Sequence, residues 1–202
     1  MSFLLKLLSI VILIGISMFL SISEISLASA RKIKLQIMDA EGNKNAAKVM
    51  DVQENSGDFF TAVQIGINAV SILGGIIGNN IVGDYVVDFI QEFFPSVSTN
   101  AVFIGNLTSF ILITALFIEF ADLIPKRLAM IAPEKIAVSV VVPMLLLIKC
   151  VKPLIFIFNG IANFIFKIFN VPLTREESIT YDDIFAMVDA GAEAGVVRKN
   201  IL

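Results

Sequence analysis

The chain has 202 residues, of which 57% are hydrophobic and 16% charged, and its mean hydropathy is +0.89. An average soluble domain is about half apolar and about a quarter charged, so more apolar surface is present here than a soluble core hides, and the chain reads as an all-α integral membrane protein. A formal net charge of −3 argues against nucleic acid as a partner. The lack of histidine excludes imidazole catalysis, and the single cysteine, Cys150, excludes an internal disulfide.

Crossing the hydrocarbon takes about 20 mostly apolar residues. Residues 3–23 qualify and carry one charge, Lys6. Lys6 ahead of the run and Ala28-Ser29-Ala30 behind it resemble a signal peptide and its cleavage site. The apolar run, however, extends to Leu20, and basic Arg31 and Lys32 follow. Basic residues there resist translocation, so the segment is read as a retained helix. Residues 27–58 form a basic loop with Arg31, Lys32, Lys34, Lys44 and Lys48. Residues 60–82 hold no charge and form the second span. Residues 83–100 form an acidic loop with Asp84, Asp88 and Glu92. The third span covers 101–118 and runs on to Ile124, before Lys126, Arg127 and Lys135. Loops rich in Lys and Arg stay cytoplasmic. The expected topology has the N-terminus outside, loop 27–58 inside, loop 83–100 outside and Lys126 inside.

Two apolar blocks follow, 136–148 and 154–169, separated by Lys149-Cys150-Val151-Lys152-Pro153. They read either as one further kinked span or as a pair of juxtamembrane helices, with Lys149, Lys152 and Lys167 snorkelling to headgroups. The pair is preferred because it keeps the C-terminus cytoplasmic. Residues 172–202 are polar and acidic. Thr180 as N-cap with Asp183 three residues on, and Ile184, Met187 and Val188 on one face, predict a short cytoplasmic helical tail.

Ionisable residues inside spans are costly and face a bundle interior or a wet cavity. Three qualify: Glu24, set among Ser21, Ser23 and Ser26 at the end of the first span, and Glu119 and Asp122 in the third; the alternative for Glu24 and Asp122 is a place at the interface, capping or pairing with Lys126 and Arg127. The last two are three apart and are expected to share a helix face. In the second span Gln64, Asn68 and Ser71 fall on nearly one face, either bonding to other helices or lining a cavity. Gly74 and Gly78, and Ser71 and Gly75, have the four-residue spacing of close helix packing. Carboxylate, amide and hydroxyl oxygens without thiol or imidazole suit hard cations such as Mg²⁺ or Na⁺, or an organic ammonium whose N–H donors need the same acceptors. No nucleophile–base pair is visible, so no enzymatic activity is expected.

The motifs Ser21-Ile-Ser23-Glu24-Ile-Ser26, Glu41-Gly42-Asn43-Lys44-Asn45-Ala46, Ile65-Gly66-Ile67-Asn68 and Asp122-Leu-Ile-Pro125-Lys126-Arg127 resemble the transmembrane domain of the CNNM/CorC family, the hemolysin-C-like membrane proteins, and most closely its polyamine-exporting branch. The resemblance covers nearly the whole chain. It implies three spans with juxtamembrane helices over residues 1–170, a homodimer in the bacterial inner membrane, and a cytoplasmic linker over 171–202 that leads toward a CBS-pair region beyond this chain. It implies export of a small cation with cation coupling: cadaverine or putrescine, or Mg²⁺ or Co²⁺, with Mg²⁺ or Na⁺ as a transported ion and no resident cofactor. It places the cation among Ser21, Ser23, Gly66, Asn68 and Asp122, of which Ser21, Asn68 and Asp122 would ligate a metal. Glu24, Ser71, Glu119, Pro125 and Lys126 would line the path. The family's acidic residue is commonly Glu after Gly, where this chain has Asp122 after Ala121. Its Gly-Asn-Asn is here Gly66-Ile67-Asn68. A shorter carboxylate and a missing amide loosen a Mg²⁺ cage and favour a diamine. The rival expectation is a scaffold or sensor, or an inactive short member of the family, that transports nothing.

Overall fold

The computed structural model describes residues 3–93 and 100–169. Residues 1–159 form one compact unit, and 160–169 are the described part of a second. The expected tail helix at Thr180 lies outside the described residues. Every regular element among the described residues is helical: α1 (Phe3–Ser29), α2 (Lys32–Ala40), α3 (Lys44–Glu54), α4 (Ser56–Phe93), α5 (Ala101–Leu116), a π-helical turn (Phe117–Leu123), α6 (Ile124–Ile131) and α7 (Pro133–Ile168). Among the described residues, four stretches are long and apolar enough to cross a membrane: Leu4–Ser29, Ser56–Phe93, Ala101–Ile131 and Pro133–Ile168. In lipid every backbone N–H and C=O needs an internal partner, and continuous helices supply it.

That rule explains where the observed boundaries depart from expectation. The first span reaches Ser29, which puts Glu24 inside the helix. The second runs to Phe93 rather than 82, so Asp84, Asp88 and Glu92 are helical, not loop. The third passes through Pro125 and continues to Ile131. The blocks 136–148 and 154–169 are not a pair of helices but one helix, α7, with Pro143 and Pro153 inside it. Each proline removes one N–H donor, whereas a break would orphan a whole turn of backbone groups.

The expected basic loop 27–58 contains two helices. Gly42, at φ +97°, takes the left-handed conformation that ends α2. Asn43 then caps α3 by accepting from the Asn45 N–H. Both helices are amphipathic, and Leu35, Ala46, Val49 and Val52 join a core with Leu20, Leu27, Phe59, Val63, Val141 and Met144. Gln53 of α3 donates to the Leu27 and Ala30 carbonyls, each at 2.8 Å, which occupies free acceptors at the end of α1. Arg31 and Lys34 approach buried Glu134 at the start of α7, at 3.1 and 3.5 Å.

Helices α1, α4 and α5 with the π turn pack as a bundle. Gly74 and Gly78 make the approach possible. A Cβ on Gly78 would sit 2.7 Å from Ile113 Cγ1, and one on Gly74 would overlap the Phe117 ring.

Candidate functional site

Ser17, Ser21 and Glu24 follow one another at four and three residues, so α1 turns all three to one side. On α4 the same helical spacing aligns Gln64, Ile67, Ser71 and Gly75. The third span contributes Ile113, Thr114, Phe117, Ile118, Ala121, Asp122 and Lys126. All but Ser21 line a cleft of about 360 Å³, and Ser21 forms its buried support.

The local fold at Asp122 follows from Pro125. The Ile124 N–H donates to the Glu119 carbonyl, five residues back, the hydrogen bond of a π turn. Pro125 has no N–H for the carbonyl four residues back, Ala121. Ser21 reaches this turn from α1: its Oγ lies 2.8 Å from Ala121 O and 3.2 Å from Asp122 Oδ1. A hydroxyl has one proton, so it serves one of these acceptors at a time. The third span is thus tied to α1 at the residue that carries the acidic group.

Three charged groups meet in the cleft. Lys126 Nζ lies 2.7 Å from Asp122 Oδ1 and 3.1 Å from Glu24 Oε2. Gln64 Nε2 reaches Glu24 Oε1 at 3.4 Å, a long hydrogen bond. Glu24 Oε2 is buried and accepts no well-formed hydrogen bond; its partner is the Lys126 charge. With Glu24 15% and Lys126 30% exposed, these charges act on one another through less solvent than at an open surface.

The structure therefore brings Ser21, Glu24, Ser71, Asp122 and Lys126 to the cleft or its wall. Fully buried Pro125 sits beneath that wall. Ser23 is buried but turned away, and its hydroxyl donates to its own helix at Phe19 O, 2.8 Å. Gly66 packs on Leu20, where a Cβ would lie 2.7 Å from Cδ1. Asn68 and Glu119 are exposed and lie outside the cleft lining. The expected shared face of Glu119 and Asp122 is lost because a π turn holds more residues, so three positions fall well short of a full turn. Sequence reasoning missed Ser17 and Thr114, and Gly75, expected at a close helix contact, instead lines the cleft with nothing within 4 Å of an added Cβ. The signal for Ser17 was its position one turn before Ser21. Among the described residues, no three His, Cys, Asp or Glu side chains cluster as a metal site.

These features define an all-α, multi-pass membrane protein with a carboxylate-bearing cleft among three of its spanning helices. The chain belongs to the CNNM family: the sequence model of the cyclin M transmembrane N-terminal domain matches residues 8–200. It is 49% identical over 194 residues to the Escherichia coli K12 polyamine export protein, covering 96% of this chain and 43% of that protein. It is 50% identical over 187 residues to the polyamine export protein of Salmonella typhimurium, covering 93% and 41%. A UPF0053 protein of Synechocystis is 31% identical over 198 residues, covering 96% and 43%. The chain spans about two-fifths of the length of these curated relatives.

Proposed function

We propose that this chain is the membrane domain of an inner-membrane exporter of small organic cations, with linear diamines such as putrescine and cadaverine bound in the cleft. The observation that carries the reading is the composition of the cleft wall. Glu24 and Asp122, with Gln64, Ser71 and Thr114, offer acceptors to an ammonium, while Ile67, Ile113 and Phe117 offer apolar surface to a methylene chain. An apolar pocket with a few convergent polar groups is the usual form of a small-molecule site. Mg²⁺ demands a near-octahedral oxygen cage, which fits this mixed lining less well. The name of the Escherichia coli and Salmonella relatives agrees with the diamine reading. The basic residues of α2 and α3, with Lys126 and Arg127, support a cytoplasmic mouth for the cleft and an outside N-terminus.

The test is thermal unfolding of the detergent-purified protein titrated with putrescine, cadaverine, Mg²⁺ and Na⁺, beside Asp122→Ala. A ligand specific to the folded state stabilises it by RT ln(1 + [L]/Kd), about 2.7 kcal/mol at a hundred times Kd. A saturable shift with a diamine, absent in Asp122→Ala, is expected. A saturable Mg²⁺ shift with the same dependence would replace the diamine by a metal, and no shift with any cation would favour a scaffold.

A further inference from the structure

We infer that Lys126 is a tethered competitor for this cleft: its ammonium holds the place that the ammonium of an incoming cation takes, and binding proceeds by exchange. The inference rests on the cleft being the cation site.

The geometry comes first. Lys126 Nζ is within 3.1 Å of a carboxylate oxygen on α1 and 2.7 Å of one on the third span. It sits between the two acidic side chains that line the cleft, where a cation attracted by both would settle. The chemistry matches as well. A lysine side chain is a primary ammonium on a four-carbon stem, the same group that ends a linear alkyl diamine. It differs from such a ligand mainly in being attached to α6. Electrostatics then favours exchange over simple addition. Two carboxylates in a partly desolvated cleft repel each other if left uncompensated. Replacing one ammonium by another keeps them compensated throughout.

Lys126 is also free to leave. Its side chain is 30% exposed, and its flexible stem lets the head swing away without backbone movement. Glu24 Oε2, buried without a well-formed hydrogen bond, shows that the tethered ammonium satisfies this acceptor incompletely. A free ammonium, unconstrained by a stem, can align its three N–H donors. An arginine at 126 would behave in the opposite way, since its planar fork grips carboxylates in two-point fashion.

The experiment measures putrescine binding by calorimetry to the purified wild-type chain and to Lys126→Met, Lys126→Arg and Arg127→Gln. Arg127 is exposed and outside the cleft lining, so Arg127→Gln controls for loss of a positive charge at this end of the helix. If the competitor occupies the cleft for all but a tenth of the time, its removal tightens apparent affinity about tenfold. Lys126→Met is expected to show that gain, Lys126→Arg to bind more weakly than wild type, and Arg127→Gln to stay within about twofold because exposed charges are screened. Lys126→Gln, which keeps an N–H donor toward Asp122 without the charge, is expected to follow Lys126→Met and guards against a misfolded variant. A further readout is n-butylammonium, which should stabilise Lys126→Ala against heat more than it stabilises wild type. Unchanged or weaker binding in both Lys126→Met and Lys126→Gln, with binding still lost in Asp122→Ala, would overturn the exchange while leaving the cleft as the cation site. No putrescine binding in wild type and no gain in any Lys126 variant would instead remove the cation-site reading beneath it.

Discussion

Ser21 and Ser23 stand two residues apart on α1, are both fully buried, and should respond very differently to alanine. Ser21 Oγ donates to Ala121 O on the third span, beside a proline that has no N–H to give. Its loss removes a buried hydrogen bond between helices, which costs about 0.5–1.5 kcal/mol. Ser23 Oγ instead bonds Phe19 O within its own helix, a carbonyl that the helix ladder already serves. Ser23→Ala should therefore stay within about 0.5 kcal/mol of wild type. Both changes remove one hydroxyl from a buried site, so packing loss is matched and the difference isolates the hydrogen bond. The assay is reversible unfolding in mixed micelles with increasing denaturing detergent, which compares free energies at one temperature. The explanation also predicts a coupling. Pro125→Ala restores an N–H near Ala121 O, so Ser21→Ala should cost less in that background, with a coupling energy above about 0.5 kcal/mol. Equal costs for Ser21→Ala and Ser23→Ala, or additivity of Ser21→Ala with Pro125→Ala, would refute the reasoning.

The glycines of α4 should separate by what lies beyond them. Gly78→Ala drives a methyl into Ile113 and Gly74→Ala drives one into Phe117, so each should lower stability by about 1–3 kcal/mol in the same unfolding assay. Gly75 has nothing within 4 Å of an added Cβ, so Gly75→Ala should raise stability by about 0.4–1 kcal/mol, whereas Gly75→Leu should fill the cleft and weaken diamine binding in a calorimetric titration. Gln53→Ala removes both bonds that close the end of α1, and faster amide exchange confined to residues after Leu27 should report it, with a loss of about 1–2 kcal/mol. Glu134, 7% exposed in its pairs with Arg31 and Lys34, should cost about 1–2 kcal/mol when changed to alanine. Lys32→Ala breaks a pair whose side chains are 58% and 63% exposed, and should stay within about 0.5 kcal/mol.

Hydropathy is a local property, so the sequence by itself determined that this is a helical membrane protein and roughly where its first three spans lie; for Glu24 and Asp122 it left open both a polar cleft and a pairing with Lys126 and Arg127 at the interface. It also placed Asp122, Pro125 and Lys126 in a motif of the right family. Helix extent was not local in the same sense. Whether backbone leaves a helix at Asp84 or at Pro153 depends on whether another partner exists for the freed N–H and C=O groups, and the continuous helices α4 and α7 keep those partners internal. The choice among polar residues was tertiary too. Gln64 and Asn68 lie only about 40° apart around the helix, yet the packing of α4 on α1 and α5 brings the first to the cleft and leaves the second outside its lining. The π turn decided the last point, because it keeps Asp122 on the cleft and Glu119 off it. It ends beside a proline that lacks an N–H and is met there by a serine on another helix, a pairing across 100 residues that no local pattern records.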